Sequence, residues 1–478
     1  MHKQFQKILF IFESFHAIIY LNQNEVRRVK DLRHTSFLSM LAHNVEAFPE
    51  GIALRDARRQ LTCAELLHEI QARAERWRAS GKTCLAVLCD GSLDCLCAIL
   101  SASAAGLQVA LLDENVPEDA LPGLLAYVEA DEFWGAELLE LDVAPYLTRG
   151  VREPAGILFF TSGTTQASKA VVLTEASLCA SAWNGNELLS LESRDTLLCA
   201  LPLNHVFGFV CGVLWGLQAG ATVAIGGGPR RLSADLQRFR PTTVSVVPTL
   251  LGFLLQHCEL PPELSLVLVG AGNCPEPLIQ AAGSRGLHVA VGYGLTETSS
   301  GVALSPVGNS NAMELCPEAE ARIAEDGEIL IHAPTCMMQG YYKKPEDTAA
   351  VLHDGLLHTG DLGALDELGR LRVTGRKKEM LVLTDGTKIY LPEYEESLAA
   401  LLGTNELAVA LRNGRPVLLL SEAEADKKEL MNRLAPVMER LPRGQQLTDI
   451  LILHRPLPRT ATGKIKRWTL TQLIEELT

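Results

Sequence analysis

The chain has 478 residues, 47% of them hydrophobic and 21% charged, and its 43 Lys and Arg against 57 Asp and Glu give a net charge of −14. That length implies two to four domains around a large buried core, and the acidic balance excludes a dedicated nucleic-acid binder, which needs clustered cations. High apolar content without a glycine period excludes collagen-like, disordered and disulfide-dense classes.

Lys3 and Lys7 precede an apolar run at 8–12, but Glu13 and His16 interrupt it and no small-residue cleavage site follows. Residues 1–35 therefore read as a surface extension or the product of a start codon placed too far upstream; a peripheral membrane-contacting segment is the alternative. Short apolar runs at 85–88, 156–160, 244–247, 264–269 and 289–293 read as strands, and 62–78, 250–257 and 276–284 as helices. This alternation predicts an α/β chain: a large N-terminal domain of mainly parallel sheets layered with helices. Such sheets bind ligands beyond the carboxyl ends of their strands, which puts the stretches after Phe160 and around Tyr293 on one functional edge. The uncharged runs 95–112 and 206–228 are long enough to suggest membrane spans. Gly106 in the first, and Gly216 and Gly220 in the second, break them into a buried helix leading to a buried strand. Past residue 325 short strands follow, among them 327–332 and 371–374. The cluster at 374–379 precedes a small α+β domain with elements at 407–411, 426–441 and 449–453. Twelve irregularly spaced cysteines without a CxxC pair suit buried thiols in a reducing cytoplasm.

Four segments carry chemistry. Thr161-Ser162-Gly163-Thr164-Thr165-Gln166-Ala167-Ser168-Lys169 is a hydroxyl-rich loop after a strand, able to wrap phosphate oxygens or to be an ordinary surface turn. Tyr293-Gly294-Leu295-Thr296-Glu297 offers a ring, a hydroxyl and a carboxylate, the parts of a nucleotide and Mg²⁺ site, or else a plain strand-to-helix connection. In His358-Thr359-Gly360-Asp361 a carboxylate sits at an expected turn, suited to ribose hydroxyls or to capping. Pro458 to Ile465 holds Lys464 on a Gly/Thr loop that is not a Walker A sequence, since Pro458 stands where that pattern wants glycine.

In this order and spacing the segments resemble the adenylate-forming, AMP-binding superfamily, over roughly residues 36 to 470. Members begin with a helix like 36–48, so the resemblance implies an N-terminal extension at 1–35, an AMP-binding domain at 36–376 and a small mobile domain at 377–478. It implies that ATP activates a carboxylic acid to acyl-AMP and that a pantetheine thiol then displaces AMP. Thr161, Ser162, Gly163, Thr164, Thr165 and Lys169 would form the phosphate loop, Tyr293 would stack on adenine, and Thr296 would contact the α-phosphate. Glu297 would ligate Mg²⁺, Asp361 would bind the ribose, and Arg376 would support ribose and phosphate. Lys464 would bridge carboxylate and phosphate, Lys378 would be the hinge, and Gly386 would border the thiol tunnel. His205, in Leu203-Asn204-His205-Val206, would lie near the substrate carboxyl, where amino-acid-activating relatives carry an aspartate. The expected substrate is a medium- or long-chain fatty acid, with ATP, Mg²⁺ and CoA, in the cytoplasm. Loading of an acyl carrier protein, and a degenerate nucleotide-binding homologue, are the alternatives. Gln166, Ser168 and Ala170 depart from the family's Gly, Pro and Gly, which predicts slower ATP turnover.

Overall fold

A computed structural model describes residues 33–148, 156–161, 169–305, 311–383, 388–422, 426–459 and 465–477. Most of the expected 1–35 extension therefore lies outside the described residues. Arg33, at its end, is already tied to the body by Glu318 at 2.7 Å and by the Trp183 ring at 4.5 Å. Ser36 then caps helix Phe37–Ala47, bonding back from the Ser39 N–H.

A six-stranded sheet comes first. Strands Cys84–Cys89, Gln108–Asp113, Glu132–Trp134 and Ile157–Phe160 run parallel. All six residues of Cys84–Cys89 are buried, which is why it reads as an unbroken apolar run. Thr62 and Glu65 form a capping box at the start of helix Cys63–Ser80, and Ser92 caps the buried helix Leu93–Ala104. The uncharged run 95–112 is thus a buried helix turning into a strand, as expected. Strand Ala170–Leu173 returns antiparallel to Ile157–Phe160, with Gly340–Tyr341 at the edge beyond it.

The nine-stranded sheet has a parallel centre of Thr196–Cys199, Thr222–Ile225, Thr243–Val246, Leu266–Val269 and His288–Leu295. Strand Ser300–Leu304 folds back antiparallel on His288–Leu295. The helical run 206–218 lies against this sheet and contains a π-helical turn at Val210–Leu214. A Cβ on Gly208, Gly212 or Gly216 would fall 2.2 Å from the Pro202 carbonyl, 2.9 Å from Cys199 Sγ or 2.6 Å from Val223 Cγ2. Gly216, expected to break the helix, therefore continues it and lets it press on the sheet; the break comes at Gly220, whose φ is +68°. No helix among the described residues is long and apolar enough to cross a membrane.

A five-stranded antiparallel sheet follows, built on Glu328–His332, Leu356–Leu365 and Leu371–Arg376. Beyond it lie a hairpin of Met380–Val382 with Lys388–Tyr390, helix Leu391–Leu402, the three-stranded sheet Leu407–Arg412, Arg415–Ser421 and Asp449–Leu453, and helix Lys427–Met438. This α+β segment has its own apolar core, including Leu398, Leu418, Leu420 and Leu434. All twelve cysteines are free and eleven are buried.

Candidate active site

Thr161 and Lys169 close the base of the phosphate-loop segment. The Thr161 N–H donates to the Lys169 carbonyl at 2.9 Å, extending the antiparallel pairing of Ile157–Phe160 with Ala170–Leu173. Ser162, Gly163, Thr164 and Thr165, with Gln166 and Ser168, lie outside the described residues. Lys169 Nζ stands 4.6 Å from the Tyr341 ring centroid and 3.4 Å from Asp347 Oδ2.

The segment expected to join strand to helix joins two antiparallel strands instead. Tyr293 belongs to strand His288–Leu295, and Thr296–Thr298 is a single 3-10 turn before Ser300–Leu304. The return is so tight that a Cβ on Gly294 would fall 1.7 Å from the Ser300 carbonyl, and Ser299 and Ser300 take φ of 52° and 100°. Such backbone is strained for a residue with a side chain. It sets Glu297 beside Tyr341, whose hydroxyl donates to Glu297 Oε1 at 2.6 Å. The Met338 N–H donates to the Glu297 carbonyl at 2.8 Å.

The strand carrying Tyr293 and the hairpin carrying Lys169 are in different sheets, so the single functional edge expected from the sequence is corrected. Two sheets contribute, and Tyr341 joins them: its strand pairs with Ala170–Leu173 while its hydroxyl reaches Glu297.

Asp361 is the second correction. It lies not at a turn but within strand Leu356–Leu365, because both neighbouring strands pair with that segment. The residue is 3% exposed. It accepts from the Tyr293 hydroxyl at 3.0 Å and pairs with Arg376 Nε at 3.0 Å. Burial pushes its pKa up, against the pull of Arg376. The Tyr293 phenol is pushed up as well, by burial and by that carboxylate, so it remains a donor. Buried Glu328 braces this strand, accepting from the Gly360 N–H and from Lys377 Nζ, each at 2.8 Å.

His205 comes from a separate element. It opens the helical run at Val206–Phe209, with Asp113 as its charged neighbour, and burial lowers its pKa. The Asn204 side chain donates to Asp113 at 3.4 Å. Lys378 is exposed in the 3-10 turn Lys377–Glu379, directly after Arg376. Lys464 and Gly386 lie outside the described residues.

Tyr341, Asp347 and Glu328 escaped the sequence reading. Each reaches the site from an element more than 25 residues away from its partner, and no local pattern marks such a contact. The residues present suit a metal nucleotide. Among the described residues no cluster of three or more His, Cys, Asp or Glu could cage a metal. A lone positioned carboxylate such as Glu297 is what Mg²⁺ needs when phosphates and water complete its shell.

A buried carboxylate joined to a tyrosine and an arginine, in an α/β chain whose sequence also carries a hydroxyl-rich segment after a strand, fits a nucleotide-handling enzyme. The family described as AMP-binding enzyme matches residues 150–342. A 2-succinylbenzoate–CoA ligase of Bacillus cytotoxicus is 30% identical, over 67% of this chain and 70% of its own. An indoleacetate–CoA ligase of Aromatoleum aromaticum is 29% identical over 90% and 96%. The O-succinylbenzoate coenzyme A synthetase of Bacillus subtilis, solved with ATP and magnesium ion, superposes with a TM-score of 0.77 at 25% identity, over 90% of this chain and 99% of that one. A methyl-dioxo-octahydroindenyl-propanoyl:CoA ligase of Mycobacterium tuberculosis is 33% identical over 72% and 71%. The chain belongs to the AMP-binding, adenylate-forming enzymes. It is an AMP-forming acid–thiol ligase, working with ATP, Mg²⁺ and CoA.

Proposed function

We propose that this ligase activates a ring-bearing carboxylic acid and that the residues assembled above carry the reaction. The relatives' acids are a succinylbenzoate, an indoleacetate and a dioxo-octahydroindenyl propanoate, so a cyclic acid replaces the fatty acid expected from the sequence. One observation carries the site assignment: Tyr293, from a different sheet, and Arg376, from the neighbouring strand, meet at the buried Asp361 carboxylate.

On this reading Tyr293 offers its ring to adenine and Asp361 exchanges its present partners for ribose hydroxyls, while Arg376 stays close to ribose and phosphate. Thr161 to Thr165 and Lys169 receive the phosphates, and Thr296 donates to the α-phosphate. Glu297, held by Tyr341, ligates Mg²⁺, which supplies charge compensation at the reacting phosphate. His205, kept neutral by burial, borders the acid's carboxyl group without adding charge. Lys464 places an ammonium where carboxylate and phosphate converge, so the protein's work is positioning and charge neutralisation. Residues 36–376 form the large lobe and 377–478 the small one, which pivots at Lys378 and brings Gly386 to the thiol channel for the second half-reaction.

The test is ATP–pyrophosphate exchange over a panel of cyclic and linear carboxylic acids, then thioester detection with CoA and with an acyl carrier protein. Exchange with ring acids and product with CoA are expected. A clear preference for long linear acids would overturn the substrate assignment.

A further inference from the structure

Lys169 is joined by a second cation. Strand Ala170–Leu173, which follows Lys169 directly, pairs with Gly340–Tyr341, Tyr341 opposite Val171. The chain then turns tightly. The Lys344 N–H donates to the Tyr341 carbonyl at 3.0 Å, and the short helix Pro345–Ala349 begins. The Thr348 hydroxyl fastens this turn, donating to the Lys344 carbonyl at 3.0 Å and accepting from the Tyr341 N–H at 2.9 Å.

Three charged groups meet as a result. Asp347 Oδ2 lies 3.4 Å from Lys169 Nζ and 3.7 Å from Lys344 Nζ, so one carboxylate oxygen is shared by two ammonium groups. Neither contact is a tight hydrogen bond. The three side chains are 29%, 32% and 41% exposed for Lys169, Lys344 and Asp347, and water screens such a pairing enough to make it easy to break. Neighbouring Lys343 is engaged elsewhere: it pairs with Glu129 at 3.3 Å and lies against the Tyr127 and Tyr342 rings.

A phosphate group is the better partner for this pair of cations. It carries more charge than a carboxylate and more acceptor oxygens, so each ammonium can take an oxygen of its own. Lys169 also keeps a contact that does not depend on the anion, the Tyr341 ring at 4.6 Å.

We propose that Asp347 is an internal competitor for the terminal phosphates of ATP, and that Lys344 is a second cation for them beside Lys169. Asp347 holds both ammonium groups until a triphosphate takes them. Once the adenylate has formed, the returning carboxylate competes with pyrophosphate and speeds its release. The inference rests on the ligase reading and adds to it the residues that set affinity for the leaving group.

The experiment uses the full-length enzyme. Exchange is measured against pyrophosphate concentration with the most active acid of the panel, and binding of pyrophosphate alone, with Mg²⁺ present, is followed by calorimetry. Asp347→Asn should lower KM and Kd for pyrophosphate by up to about five-fold, the worth of an exposed ion pair. Lys344→Gln should raise both about ten-fold, as expected for losing one hydrogen bond to a charged group. Lys344→Arg should restore most of that loss, and Lys343→Gln should shift neither quantity by as much as about two-fold. A higher pyrophosphate KM in Asp347→Asn would make the carboxylate a support for Lys169 and overturn the proposal. So would a Lys344→Gln enzyme indistinguishable from wild type, or an equal rise in Lys343→Gln. Should one variant fail to fold, the other decides. Absence of exchange with every acid would instead overturn the ligase reading, and the calorimetry would still judge the two lysines.

Discussion

Tyr341→Phe removes one oxygen and little else. The phenol donates to Glu297 Oε1 at 2.6 Å, short enough to mark a hydrogen bond to a charged acceptor. Such a bond contributes about 1.5–3 kcal/mol. If Glu297 must be aimed at the metal in the transition state, that range becomes a loss of about 10- to 150-fold in kcat/KM for adenylate formation. The benzene ring remains, so the Lys169 ammonium keeps the π face it occupies at 4.6 Å, and the melting temperature should move little. The assay is pyrophosphate exchange over a Mg²⁺ titration. A higher Mg²⁺ requirement should accompany the lower rate, whereas Tyr341→Ala should add a loss of stability. Exchange within two-fold of wild type at every Mg²⁺ concentration would refute the idea that Tyr341 positions Glu297.

Lys464→Ala should abolish adenylate formation yet leave thioester formation from supplied acyl-AMP; equal damage to both steps would contradict the swinging small lobe. Gln166→Gly should raise the exchange rate by supplying a residue free to adopt positive φ, and an unchanged or lower rate would discard the expectation that Gln166 slows ATP turnover. The pH dependence of stability can be tested at Glu328. Burial pushes its carboxyl up, but Lys377, the Gly360 N–H and His358 outweigh that and hold it below the ordinary value. A lowered carboxyl stabilises the fold above its unfolded value of about 4.3, and this stability disappears as pH falls through the folded value. Glu328→Gln should therefore be less stable than wild type at pH 7, with the gap closing below about pH 4 in denaturant titrations. A gap constant down to pH 3 would exclude the linkage.

Much of the architecture is legible locally. Parallel strands buried on both faces appear as bare apolar runs, as at Cys84–Cys89, and helix Glu276–Ser284 and strand Asp449–Leu453 stand where periodicity predicts them. The failures share one cause, which is long-range pairing. Asp361 looks like a turn residue until strands on both sides claim it. Gly216 looks like a breaker until the sheet beneath it demands a bare backbone. The strand ending at Phe160 and the strand before the Glu297 turn look like one edge, although they belong to separate sheets. Candidate motif residues can be proposed from sequence because their chemistry is local; Tyr341, Asp347 and Glu328 contact them from afar, and such a contact is visible only once the chain has closed on itself.

The junction at Tyr341 has a consequence for how the enzyme ages under heat or mutation. With the candidate residues divided between the two slabs, and the Tyr341 phenol among the contacts lacing one to the other, a slip of a few tenths of an ångström between slabs should spoil alignment before either melts. Lesions deep in either hydrophobic layer, remote from any substrate, should surface first as sluggish turnover in otherwise well-folded protein. Warming should likewise extinguish activity several degrees ahead of the calorimetric transition.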